Sequence, residues 1–82
     1  MPNFNITGEQ LRAARAIVRM EQTDLAQAAK VSVDTIKRLE RTVGQVSANV
    51  LTVNAITKTL ESAGVEFVPE NGGGPGVRLR RR

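Results

Sequence analysis

The stretch from Gln22 to Glu40 constrains this chain more than any other. Its apolar residues fall into two sets at helical spacing: Leu25, Ala26 and Ala29, then Ile36 and Leu39, with Val31 between them. Each set covers only about two turns, and a helix that short is unstable alone in water. The two must therefore pack on each other and on a further scaffold. Lys30-Val31 interrupts the pattern, Asp24 suits the dipole in the first turn of one segment, and Ser32 is placed to cap the other. The expectation is helix 22–29, a tight break and helix 33–41, with Ala26 small enough to let the two axes approach.

The flanking sequence supplies the scaffold. Thr7-Gly8-Glu9-Gln10 has the form of a capping box and opens a helix over about 8–19, with Leu11, Ala14, Ile17 and Val18 at helical spacing. Residues 1–6 read as a short leader, ordered in part by Phe4 or Ile6. After a loop from Thr42 to Val46 containing Gly44, Ser47 is expected to cap a helix over 48–63, with Val50, Val53, Ile56 and Leu60 in line and Gly64 ending it. The period then changes to two in Val65-Glu66-Phe67-Val68 and again in Val77-Arg78-Leu79-Arg80, on either side of a Gly/Pro loop. This predicts a β-hairpin with Val65, Phe67, Val77 and Leu79 on one face. The expected fold class is mainly α: a four-helix domain over 1–64, then a C-terminal two-stranded β-hairpin and basic tail over 65–82.

Composition narrows the chemistry. A chain of 82 residues has room for one core, and only Phe4 and Phe67 are aromatic, so Ala, Val, Ile and Leu must fill it. His, Cys, Trp and Tyr are absent, which excludes disulfides, thiolate nucleophiles, imidazole bases and His/Cys metal sites. The scattered carboxylates show no acid/base or metal spacing; Glu61 and Glu66, on a helix end and a strand, would both sit in water. Asn71-Gly-Gly-Gly-Pro-Gly76 lacks the following helix and Lys of a phosphate-binding loop and reads as a hairpin connection. No apolar run approaches the ~20 residues that cross a bilayer, and the first residues lack the apolar stretch of a secretion signal. The expectation is a cytoplasmic binding module, not an enzyme, with no catalytic residue, metal or cofactor. The net charge is +4, but Arg78, Arg80, Arg81 and Arg82 carry that excess, leaving eight basic and eight acidic groups before them.

Gln22-Thr-Asp-Leu-Ala-Gln-Ala-Ala-Lys-Val-Ser-Val-Asp-Thr-Ile-Lys-Arg-Leu-Glu40 resembles the phage-repressor/Cro-type (XRE-like) helix-turn-helix family of transcriptional regulators. The resemblance covers about residues 9–63. The phrase Gly-Val-Glu-Phe, followed by Asn-Gly-Gly-Gly-Pro-Gly-Val-Arg-Leu-Arg, looks like a small bacterial branch that adds the hairpin. The resemblance implies a repressor-like fold, residence at the nucleoid when bound, and helix 33–41 in the major groove of double-stranded DNA. With Ile36, Leu39 and Glu40 turned inward, Val33, Asp34, Lys37, Arg38 and Arg41 share one outward strip. Lys37 or Arg38 can donate to guanine, Val33 can meet a thymine methyl, and Asp34 can accept from cytosine. The resemblance adds Gln22, Thr23 and Ser32 at the two helix starts as DNA contacts, and pairs Arg15 with Glu40 as a partly buried ion pair.

Alternatives remain at this level. The strip taken alone also reads as a solvated helix face, and Arg15 and Glu40 as two independent surface charges. Glu21 stands where the family usually has Ser, Thr or Asn, and Lys30 where it has a turn Gly. Together with the neutral body, these leave room for an antiactivator-type module on the same fold, whose partner is another transcription factor. A homodimer is expected, since regulators of this kind read two half-sites, with Val65, Phe67, Val77 and Leu79 of the hairpin as its dimerisation face and Leu51 and Ala55 as the next candidates.

Overall fold

The computed structural model describes residues 6–80, so Phe4, Arg81 and Arg82 lie outside the described residues. Four helices, α1 (Gly8–Ile17), α2 (Gln22–Ala29), α3 (Val33–Arg41) and α4 (Val50–Ser62), precede strands β1 (Val65–Val68) and β2 (Gly76–Leu79). The strands pair antiparallel, Val65 opposite Leu79 and Phe67 opposite Val77. The fold class is the one expected, mainly helical with a C-terminal hairpin.

Local chemistry explains most boundaries. At the start of α1, Thr7 Oγ1 accepts from the Gln10 N–H at 3.0 Å and Gln10 Oε1 accepts from the Thr7 N–H at 2.9 Å. This helix stops at Ile17, two residues short of the expected end. Arg19 turns left-handed (φ 58°), and the N–H groups of Arg19 and Met20 close back on the Ala16 and Arg15 carbonyls. Helix α2 closes the same way: Lys30 is left-handed (φ 60°) and the Val31 N–H reaches the Ala26 carbonyl at 3.0 Å.

The fourth helix corrects the reading of its cap. It begins at Val50, and Asn49 rather than Ser47 is the N-cap, its Oδ1 accepting from the Leu51 N–H at 2.7 Å. The chain before it is held extended because the Val46 N–H bonds the Ile6 carbonyl at 3.0 Å and Thr7 bridges Gln45. Val50, expected on the inner stripe, is therefore a first-turn residue and 61% exposed, while Ile56, Thr57 and Leu60 face inward.

One core runs through all six elements. Leu11, Leu25, Ile36, Ile56, Leu60 and Val65 are fully buried, and Ile6, Leu39 and Phe67 nearly so. Burying each such side chain contributes about 1.5–3 kcal/mol. The hairpin is part of that core. It lies across α1 and α4, with β2 beside α1 and β1 beside α4. Gln10 fastens it: its Nε2 donates to the Val68 carbonyl at 3.1 Å and the Gly76 carbonyl at 2.9 Å. The expected dimerisation face needs correction here. Val65 and Phe67 are buried against their own chain and have no surface left for a partner, Val77 is half-buried, and Leu79 alone is largely exposed.

Candidate nucleic-acid interface

Helix α3 is held from three directions before any of its outer residues matter. Ile36 and Leu39 sit in the core, and α3 packs on both α2 and α1. Glu40, 4% exposed, receives a two-pronged hold from Arg15: Nε to Oε2 at 2.7 Å and Nη2 to Oε1 at 3.0 Å. The remaining Arg15 nitrogen, Nη1, donates to the Met20 carbonyl at 2.9 Å, so the guanidinium also pins the end of α1. Hydrogen bonding to Glu40, opposed by desolvation, holds the Arg15 proton even more tightly than usual.

The C-terminal end of α3 is equally determined. Of its last carbonyls, Arg38 accepts from Thr42 Oγ1 at 3.2 Å, Leu39 from the Thr42 N–H at 3.1 Å, and Glu40 from Arg12 Nη1 at 3.1 Å. Gly8 lies directly against this end. A Cβ there would stand 2.1 Å from the Thr42 carbonyl oxygen and 2.7 Å from that of Leu39. No side chain fits, so Gly8 is what lets α1 approach α3 this closely. Among the described residues, no buried side-chain nitrogen or oxygen lacks a partner.

On the outer side, Asp34, Lys37, Arg38 and Arg41 are exposed and Val33 is half-buried. Asp34 lies in the first turn of α3 and Arg38 and Arg41 in its last, each favourable to the helix dipole. Arg38 Nη1 makes a long contact of 3.4 Å with the Ser47 carbonyl, which tilts the guanidinium toward the α3–α4 loop. Among the described residues, the other guanidinium N–H groups of Arg38 make no hydrogen bond, leaving a fork free for a planar acceptor pair.

The helix starts divide between structure and surface. Ser32 caps α3, its Oγ accepting from the Thr35 N–H at 3.1 Å and lying 2.9 Å from Thr35 Oγ1. Thr23 is exposed at the start of α2. Gln22, grouped with the surface contacts from sequence, turns inward: its Nε2 donates to Glu40 Oε1 at 3.0 Å, making it a third member of the Arg15–Glu40 cluster. Glu21 precedes α2, with its backbone N–H donating to Asp24 Oδ2 at 3.2 Å and its side chain exposed.

Several contributors were not legible from sequence as parts of the site. Arg12, Gly8 and the inward turn of Gln22 all act across 18 or more residues. A glycine at the first helical position, where glycine is a poor helix former, was the available signal for Gly8. Among the described residues, no group of Asp or Glu is arranged to hold a metal ion, and no helix is long and apolar enough to cross a membrane.

No family model matches the chain, and no curated protein is significantly similar to it.

Proposed function

We propose that this protein is a cytoplasmic, sequence-specific regulator that binds double-stranded DNA as a homodimer, with α3 lying in the major groove, and that it acts as a repressor of the phage-repressor/Cro type. The observation that carries this reading is the contrast between the two sides of α3. Its inner side is fixed by Ile36, Leu39 and the Arg15–Glu40–Gln22 cluster, while Lys37, Arg38 and Arg41 project from the other with little to hold them. A helix immobilised so thoroughly and left cationic outside is suited to presenting donors to base edges at constant geometry. Arg38 supplies a guanine-reading fork, Lys37 a second donor, Arg41 a phosphate contact, and Val33 an apolar contact. Thr23 and Ser32 approach the flanking phosphates from the two helix starts.

A second reading rests on Glu21 and Asp34, both exposed on the approach side where phosphates repel carboxylates. They favour a module that docks on another transcription factor in place of DNA. Selection from a pool of random duplexes, followed by titration of the recovered duplex against salt, separates the two. DNA reading predicts enrichment of a defined site and an affinity that falls by about tenfold or more between roughly 50 and 200 mM salt. Recovery of no preferred sequence, with only weak and indiscriminate binding, favours the protein-docking module.

A further inference from the structure

The free edge of β2 has a self-complementary pattern of backbone groups. Two observations fix which groups point outward. The Arg80 N–H donates to the Gly64 carbonyl at 2.7 Å, continuing the β1–β2 register by one residue. Gln10 Nε2 reaches both the Val68 and the Gly76 carbonyl, which one nitrogen can do only if both carbonyls point into the gap between the strands. Pairs 64/80 and 68/76 are thus the hydrogen-bonded ones, and by alternation 66/78 is too. It follows that the N–H and C=O groups of Val77 and Leu79 point away from β1. Among the described residues β2 has no second strand beside it.

The flank below that edge is apolar. Ala13 and Ile17 follow Gln10 at i+3 and i+7, on the side of α1 from which Gln10 reaches the hairpin, and both are exposed. Leu79 is 57% exposed, although its cross-strand neighbour Val65 is completely buried. Charged side chains are one of the devices by which natural proteins blunt a free edge. Here Arg78, the one charged residue of β2, is held across the strand by Glu66, with Nε–Oε1 at 3.2 Å and Nη2–Oε2 at 2.9 Å.

We infer that β2 pairs antiparallel with β2 of a second copy, Val77 opposite Leu79 of the partner and the reverse, forming a four-stranded sheet across a two-fold axis. The identity of the occupant follows from the register. Pairing Val77 with the partner's Leu79 makes reciprocal hydrogen bonds on both sides of the axis and uses every outward group of both residues. It also brings the two Arg78 residues opposite each other, each neutralised by its own Glu66. The added strand covers Leu79 and the Ala13/Ile17 flank, which one chain leaves open. This pairing deepens the homodimer proposed above and rests on it, but it does not depend on DNA contact.

The test uses the full chain without DNA. Sedimentation equilibrium over about 1–300 µM should show a species of twice the 8.9 kDa chain mass. Amide exchange should show protection at Val77 and Leu79 that rises with protein concentration, while Arg78 stays protected throughout. Leu79→Lys and Ile17→Lys, on separate elements, should each raise the dimer dissociation constant by about tenfold or more with the helical circular dichroism unchanged. If Leu79→Lys fails to fold, Ile17→Lys and the exchange pattern of the unaltered chain still decide. A chain that stays monomeric at the highest concentration overturns the pairing. So does a dimer in which the Val77 and Leu79 amides exchange freely.

Discussion

Arg15 holds Glu40 by two hydrogen bonds, Nε to Oε2 at 2.7 Å and Nη2 to Oε1 at 3.0 Å, joining the last turn of α1 to the last turn of α3. The pair does more than neutralise two charges. Arg15 also pins Met20, and Glu40 also receives Gln22, so three helices meet at one carboxylate. Arg15→Ala leaves Glu40, 4% exposed, with only a neutral amide for company. Breaking a fully buried pair costs about 3–5 kcal/mol, and because Arg15 keeps a fifth of its surface in water the expected loss is about 2–4 kcal/mol. A double-mutant cycle with Glu40→Gln, read by urea denaturation, checks it; additive losses would dissolve the pair as an energetic unit.

Gln10 carries a comparable burden on the opposite flank of α1. Gln10→Ala keeps the N–H that Thr7 accepts from but strands the Thr7 N–H and removes the donor shared by the Val68 and Gly76 carbonyls. The expected cost is about 1–3 kcal/mol, concentrated in the hairpin. Amide exchange should show β1 and β2 opening before the helices. Uniform loosening of the whole chain would argue against a latch.

The helix-turn-helix was legible because its signals are local. Leu25, Ala26, Ile36, Leu39 and the Ser32 cap lie within the segment they define, and α2 and α3 have the bounds their spacing implies. The start of α4 was not legible, since Ser47 and Asn49 are both good caps and a long-range contact chooses between them: Val46 pairs with Ile6, and the helix waits until the chain is free. The latch of Gln10 was hidden for the same reason, its hairpin partners lying 58 and 66 residues away. The exposure of Lys37, Arg38 and Arg41 follows from helical period alone. The inward turn of Gln22 does not, because only the fold brings Glu40 beside it. Alternation in the hairpin identified the apolar face of Val65 and Phe67 but not its occupant, which is the chain's own core.

Lys30 offers a gain in place of a loss. Its left-handed backbone (φ 60°) costs a side-chain-bearing residue about 1 kcal/mol or somewhat more. Glycine removes that strain, while its looser unfolded chain returns about 0.5 kcal/mol of it. Lys30→Gly should therefore raise stability by about 0.5–1 kcal/mol. A lowered midpoint in thermal denaturation would mean that the lysine side chain itself stabilises the turn.

Two surface carboxylates contribute to the response to acid. Glu66 is held below the ordinary carboxylate range by the hydrogen bond from Arg78 and then by that residue's charge. Glu9 is lowered by backbone N–H donors, its own first and that of Gly44 next. A depressed folded value means that each contributes stability above its unfolded pKa and loses it as pH falls through the folded one. Thermal midpoints should decline from about pH 5 downward, a range set by the ordinary glutamate value. The Glu66→Gln chain should decline less steeply; identical slopes would show that the Arg78 pair stabilises nothing.

The central claim, that α3 reads bases, is tested most directly by Arg38→Ala assayed on the best selected duplex and on its single-base variants. The Arg38 side chain is exposed and, among the described residues, its one hydrogen bond is the long contact to Ser47, so trimming it to Ala should leave the fold intact. The expected result is a loss of about 1–3 kcal/mol on the best duplex and relaxed preference at one base position, the others keeping theirs. Unchanged affinity for the best duplex, or an equal loss on every duplex, would contradict it and move the reading surface away from this face of α3.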